Sequence, residues 1–401
     1  MSGNGGATTS GQLRAHNRVR LLRAVHDCGA TLTRSRLTRD LELARGTASV
    51  LVGGLAEDEL LHEEPAPEHA RGRPTMVPGP HPRGPVVLAA DLREDAWELA
   101  ACELGGRVSV LAVRGHDGTP EDALGPLGAA MREHRARYGA RAVGAGVSVA
   151  GPVAAGGRVD VSHLGWRSVD VPALLGLPPG WVRVGNDTAL AGLAEARRGL
   201  LRGVEVGLHI HVDFDLGGVL IVGGRPLEGA GGMGAEFGHM PLTGGAMPCP
   251  CGATGCWALE VGANALLRHM GLPHGGGRGR EQAELILARA EAGEAEAARA
   301  LAAAARTLGR GVAALVNAHD PEVVALSGLG ADLHDRAGAV LAEACRNGLM
   351  TIRRERPPLI TPSALGRRGS LLGAMESVFD AFLTTDGLAA WPARDTPGSR
   401  V

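Results

Sequence analysis

The chain of 401 residues contains no lysine, so every fixed positive charge is an arginine and a lysine-based catalytic step is ruled out. Aromatic residues make up only 2%, which leaves few large anchors and requires a core of Leu, Val and Ala drawn from a hydrophobic fraction of 44%. No apolar run reaches the roughly 20 residues of a membrane span, and the polar, Gly-rich segment from Met1 to Gly11 has no signal-peptide hydrophobic stretch. A cytoplasmic protein with no membrane partner is expected. A net charge of −2 excludes a uniformly basic nucleic-acid coat. The length also excludes one ordinary core, since single cores stop growing at roughly 250–300 residues, and it suits one small domain plus one of two lobes.

An average charge hides local patches. In the first fifty residues Arg14, Arg18, Arg20, Arg23, Arg34, Arg36, Arg39 and Arg45 face only Asp27, Asp40 and Glu42, so this end is basic. Apolar residues recur at helical spacing from Leu13 to Cys28, and Gly29 follows as a stop. Thr33 can cap a second short helix containing Leu37 and Leu41, and a third is predicted from about Ala44 to Glu57. Leu60–Glu63 and Thr75–Val77 then flank the basic loop Ala70-Arg71-Gly72-Arg73-Pro74, the pattern of two small strands and a wing. Four prolines between 78 and 85 mark a linker.

Beyond it, residues 85–91, 107–113 and 142–149 read as strands, with a helix near 120–138. The rhythm repeats with strands at 206–211, 219–222 and 323–326 and a long Ala-rich helical stretch over 281–318. Strands alternating with helices in two successive halves imply an α/β body of two lobes with a ligand cleft between them.

Three of the six cysteines fall within eight residues, Cys249, Cys251 and Cys256, and His239 precedes them. Three thiolates and one imidazole make a closed tetrahedral zinc site, with intervening glycines permitting the tight loop. Four protein ligands leave no open position, so the zinc is expected to hold structure and not to hydrolyse.

Several motifs together resemble the ROK family of repressors, open reading frames and sugar kinases over nearly the whole chain. Gly234-Ala235-Glu236-Phe237-Gly238-His239-Met240 is similar to the family's Glu-x-x-Gly-His segment, and Cys249 to Glu260 to its zinc segment. Val147 to Val153, which includes Gly151, and Gly185-Asn186-Asp187 resemble two more. The resemblance implies an actin-like, sugar-kinase-like (ribonuclease H-like) fold. It implies a pocket for sugar hydroxyls lined by Asn186, Asp187, Glu236, His239 and Glu260, with Gly151 beside it. It further implies lobe 1 over 86–200 plus a C-terminal helix at about 368–386, lobe 2 with the zinc over 201–367, and a flexible tail over 387–401.

The aspartate matching Asp187 is the base of the family's kinases. Two phosphate loops depart from the kinase pattern: Asp91-Leu92-Arg93-Glu94-Asp95 replaces Asp-x-Gly-Gly-Thr, and Asp213-Phe214-Asp215-Leu216-Gly217-Gly218 replaces Gly-Thr-Gly-x-Gly-Gly. Lost glycines close the backbone to phosphate, and added carboxylates repel it. From this we expect no enzyme but a pseudokinase with a vestigial base at Asp187. His163 stands where the family often has asparagine, which points to a sugar derivative or another small ligand.

Residues 13–77 resemble the winged helix-turn-helix of the family's repressors, after a disordered arm at 1–12. Arg36, Arg45, Thr47 and Ser49 are the candidate DNA contacts of the helices, and Arg71 and Arg73 those of the wing. Glu42 replaces the family's turn glycine and Ala44 its helix-capping serine. The expected function is a transcriptional repressor binding operator DNA as a homodimer or homotetramer under control of a sugar. The alternatives are an active ATP-dependent sugar kinase with an appended DNA-binding domain, and an interaction protein with no ligand.

Overall fold

The structure, a computed structural model, describes residues 10–66, 75–232, 234–275 and 279–391. The first elements are α1 (Ser10–Asp27), α2 (Arg34–Asp40) and α3 (Arg45–Glu57), followed by β1 (Leu61–Pro65) and β2 (Met76–Pro80) in a two-stranded antiparallel sheet. Thr33 caps α2 by accepting from the Arg36 N–H, 3.3 Å. Leu21, Leu22 and Val25 of α1, Leu37 of α2 and Leu51 and Leu55 of α3 close a small apolar centre. The strand β2 extends to Pro80, three residues into the segment read as a linker. Residues 10–12 are helical and not an arm, while Arg71 and Arg73 lie outside the described residues.

The body repeats one topology twice. The first sheet joins β3 (Val86–Leu92), β4 (Ala96–Glu103), β5 (Val108–Gly115), β6 (Ala142–Val149) and β10 (Val182–Asn186) in the order β10-β6-β3-β4-β5. Helix α4 (Pro120–Tyr138) crosses between β5 and β6. A small sheet of β7 (Val153–Ala154), β8 (Arg158–Val161) and β9 (Trp166–Asp170), then α5 (Val171–Leu175), precede β10, and α6 (Asp187–Arg198) follows it.

The second sheet, of order β13-β12-β11-β14-β15, uses β11 (Val206–Val212), β12 (Leu216–Val222), β13 (Arg225–Pro226), β14 (Val323–Gly328) and β15 (Leu359–Pro362). In each sheet three antiparallel strands are extended by two parallel ones. Helices α7 (Ala263–His269), α8 (Arg280–Glu291), α9 (Ala295–His319), α10 (Leu329–Gly348) and α11 (Thr351–Glu355) belong to this half. The stretch expected as one helix over 281–318 is two, parted at Gly293, whose φ of +88° suits glycine and ends α8.

The chain then returns to the first sheet through α12 (Gly369–Phe382) and α13 (Thr385–Ala390). Glycines let α12 lie flat on it: a Cβ at Gly146 of β6 would meet the Ala374 carbonyl at 2.1 Å, and one at Gly373 would meet the Leu190 carbonyl of α6 at 1.8 Å. Of the tail expected to be flexible over 387–401, residues 387–391 are ordered, with the Trp391 indole N–H donating to the Asp58 carbonyl, 2.8 Å. A single apolar core runs from α1 and α3 through Val87 and Ala89 to Leu371, Met375 and Phe379. Each such side chain contributes about 1.5–3 kcal/mol on burial, so the helical N-terminal unit is fused to the body. No helix among the described residues is long and apolar enough to cross a membrane.

Candidate functional site

A cavity of about 440 Å³ opens between the two sheets. It is built from strand ends and turns: the β3–β4 turn, the loop after β6, the start of α6, the β11–β12 turn, the loop through Glu236 and His239, and the start of α12. Ligands in two-lobed α/β folds gather at such strand ends because the backbone there is free to turn toward them.

Gly151, His163, Asn186, Asp187, Glu236 and His239 all line the cavity. Glu260 does not: its carboxylate is turned to Arg268 and His269, 3.3 Å from each. Asn186 ends β10 and caps α6, its amide oxygen accepting from the Ala189 N–H (2.9 Å) and its amide N–H donating to the Gly151 carbonyl (3.1 Å). A Cβ on Gly151 would meet the Asp160 carbonyl at 2.2 Å, which explains the glycine by close approach. Asp187 follows in the first turn of α6, where its carboxylate also accepts from the Thr188 N–H, 2.7 Å. Burial raises its pKa above the ordinary carboxylate value. Burial, reinforced by Asp187, brings Glu236 up to about 7.

The replaced phosphate loops are also here, and the fold changes their electrostatics. Glu94 projects from the three-residue β3–β4 turn; burial, with Asp213 and Asp187 nearby, raises its pKa to about 8, so it is protonated at neutral pH. Asp213 is held by Arg280 (3.1 Å), Asp215 by His163 (2.9 Å) and Asp91 by Arg93 (3.5 Å) and the Ser148 hydroxyl (2.8 Å). The hydrogen bond to Asp215 raises the His163 pKa. His211, Arg280, Arg367 and Arg368 line the same cavity and were not singled out from the sequence. They come from three separate parts of the chain, the end of β11, the start of α8 and the Arg367-Arg368 turn before α12, and no local spacing joins the three.

Beside the cavity, His239, Cys249, Cys251 and Cys256 place their donor atoms within 4.8 Å of one another. The Cys251 and Cys256 sulfurs are 3.8 Å apart, and Cys249 Sγ lies 3.7 Å from His239 Nδ1. Zinc–sulfur bonds of about 2.3 Å in a tetrahedron set sulfurs about 3.8 Å apart, so the donor set fits a four-coordinate structural metal. The loop that carries it turns at Gly252 and Gly255, with φ of +96° and +67°.

At the N-terminal unit Arg45, Thr47 and Ser49 are exposed on α3, while Ala48, Leu51, Val52 and Leu55 face inward. Arg36 is exposed and paired with Asp40 at 2.9 Å. Glu42 takes a left-handed φ of +54°, and Ala44 caps α3 without a side-chain hydrogen bond.

Comparison with known proteins gives this geometry a lineage. The ROK family model matches residues 111–380. A kanosamine kinase from Amycolatopsis mediterranei is 32% identical over 264 residues, 64% of this chain and 83% of its own. A glucokinase from Streptomyces coelicolor is 32% identical over 158 residues, 38% of this chain and 48% of its own. Among solved structures, a ROK family transcriptional regulator, homologous to the Mlc protein of E. coli, has a TM-score of 0.69 at 22% identity and covers 94% of this chain and 98% of its own. A ROK family glucokinase from Streptomyces griseus, in complex with glucose and AMPPNP, has a TM-score of 0.63 at 24% identity, covering 74% and 99%.

These relatives correct the expectation of a pseudokinase. Similar sequences and folds are named sugar kinases, and two of the carboxylates counted against phosphate in that expectation, Asp213 and Asp215, are paired with Arg280 and His163. With the family pattern spanning most of the body around this cleft and its cysteine cluster, the chain belongs to the ROK family.

Proposed function

We propose that the protein is a ROK transcriptional regulator that binds operator DNA through its N-terminal unit and responds to a sugar or sugar derivative in the cleft. The observation that carries this reading is α3: one face is packed into the core and the other leaves Arg45, Thr47 and Ser49 free at its first turns. Three short helices and a two-stranded sheet form the frame of a winged helix-turn-helix, whose recognition helix enters the major groove by its N-terminal end. Arg71 and Arg73 would reach the minor groove. Two copies would bind a two-fold operator, since isologous pairing matches palindromic half-sites. Structural zinc at His239, Cys249, Cys251 and Cys256 would brace the loop that carries Glu236 into the cleft.

In the cleft Asn186, Asp187, Glu236 and His163 offer converging acceptors and donors suited to adjacent hydroxyls. The test is binding of the full-length protein to a duplex selected from a random pool, with and without D-glucose, D-glucosamine and N-acetyl-D-glucosamine. Salt-dependent binding that one sugar alters supports the reading; failure to enrich any duplex overturns it.

A second reading is an ATP-dependent sugar kinase carrying a DNA-binding domain. It is favoured by Asp187 at the start of α6, positioned as a base in a cleft with paired carboxylates. ATP turnover on the same sugars, lost in Asp187→Asn, identifies it.

A further inference from the structure

Helix α6 touches three parts of the molecule. Its first residues, Asp187 to Ala189, line the cleft. Its middle packs against both lobes: a Cβ at Gly192 would meet Val219 of β12 at 2.3 Å, while Leu190 and Ala191 bear on Gly373 and Gly369 of α12. Contacts this close leave no room for independent sliding, so movement of one partner displaces the other. Helix α12 runs beside α6 from Ser370, which also lines the cleft. Twelve residues of helix span about 18 Å and fourteen about 21 Å.

The far ends of both helices meet α1. His26 and Glu376 are each 1% exposed. The Gly105 N–H donates to His26 Nδ1 at 3.0 Å, and His26 Nε2 lies 3.0 Å from Glu376 Oε2 and 2.8 Å from Arg198 Nη2. Arg198, the last residue of α6, donates through Nε to Glu376 Oε1 and through Nη1 to the Gly105 carbonyl, 3.1 Å. Phe379 of α12 lies against the His26 ring, centroids 4.4 Å apart. Outside this buried group Asp380 accepts from Arg23 of α1 (2.6 Å) and from Arg197 of α6 (3.0 Å). Breaking one contact of a buried charged cluster leaves its partner uncompensated at a cost of several kcal/mol, so the junction resists partial displacement.

We infer that α6 and α12 form a lever that transmits cleft occupancy to α1, and so to the DNA-binding unit, through the buried His26–Glu376–Arg198 junction. Ligand held at Asn186 and Asp187 moves the start of α6 with the lobes, and the junction makes α1 follow its end. The inference rests on the regulator reading above for its output, though not for its mechanics. Arg198 and His26 touch neither ligand nor DNA; they are positioning residues.

The test is amide hydrogen exchange of the full-length protein with D-glucose, D-glucosamine or N-acetyl-D-glucosamine, using whichever shifts its melting temperature. In parallel, affinity for the selected duplex is measured, in the parent and in Arg198→Met. In the parent, sugar changes exchange in both 187–198 and 10–27, and alters DNA affinity about tenfold. Arg198→Met keeps the sugar affinity and the change at 187–198 but loses the change at 10–27, and the sugar effect on DNA falls below about twofold. A merely structural arginine would weaken DNA affinity with and without sugar alike and leave their ratio intact. Should Arg198→Met fail to fold, Asp380→Asn, at the half-exposed outer pair, gives the same split in weaker form. The lever is refuted if 10–27 stays silent in the parent while 187–198 responds, or if either variant retains the full ratio. Coupled exchange with no sugar effect on any duplex instead sinks the regulator reading and leaves the lever standing. Absence of any sugar-induced shift removes both.

Discussion

Glu94 offers the sharpest test of the cleft electrostatics. Its pKa of about 8, against an ordinary 4.5, means that between these pH values the folded protein holds a proton that the unfolded chain has released. Stability therefore falls as pH rises from about 4.5 to about 8 and is level above that. Each tenfold change in proton affinity is about 1.4 kcal/mol, so the displacement sets a ceiling of about 5 kcal/mol. Solvent in the open cleft screens the carboxyl, which reduces the expected effect to about 1–2 kcal/mol. Gln has the shape of the protonated acid and cannot ionise. Glu94→Gln should thus match the parent at pH 5 and exceed it by about 1–2 kcal/mol at pH 9, a rise of roughly 2–6 °C in melting temperature. Thermal and urea unfolding of both proteins at pH 5, 7 and 9 measures this. An offset independent of pH, or a less stable variant at pH 9, would refute the reasoning and return Glu94 to the role of a fixed negative charge facing the phosphate site.

Other outcomes follow from single contacts. Cys256→Ser, at the more deeply buried of the two buried cysteines in the metal cluster, should abolish a zinc content of about one ion per chain by elemental analysis and lower the melting temperature, because bound metal contributes folding free energy directly. Glu42→Gly should stabilise by up to about 1 kcal/mol in urea unfolding by relieving the left-handed backbone, and Ala44→Ser by about 1 kcal/mol by capping α3. Gly373→Ala should destabilise by about 2 kcal/mol or more, since its new carbon would lie 1.8 Å from the Leu190 carbonyl. Asp187→Asn should weaken sugar binding by about tenfold or more in calorimetry if the carboxylate accepts ligand hydroxyls.

The strands from Val86, Ala142 and Val323 and the helix from Pro120 could be read from runs and periodicity, since each is defined by its own apolar pattern. The strand β4 was not anticipated. Its Ala-rich middle, Leu99-Ala100-Ala101-Cys102, has no alternation, because both faces are buried. Prolines at 78 and 80 suggested a linker, yet they sit in a two-stranded sheet with an open edge, where a missing N–H does little harm. Glu260 was placed in the pocket by motif alone; Arg268 and His269, one helix later, turn it away.

What the sequence by itself determined is what short segments encode: helix and strand periods, the Thr33 cap, and four metal donors within eighteen residues of chain. Only the tertiary structure decided the charge state of the cleft and the joining of the N-terminal unit to the body. Asp213 meets its arginine from another element, Glu94 is protonated by burial, and His26 finds Glu376 across 350 residues. The strength of an electrostatic interaction depends on separation and burial in three dimensions, and neither is written in the spacing of residues along the chain.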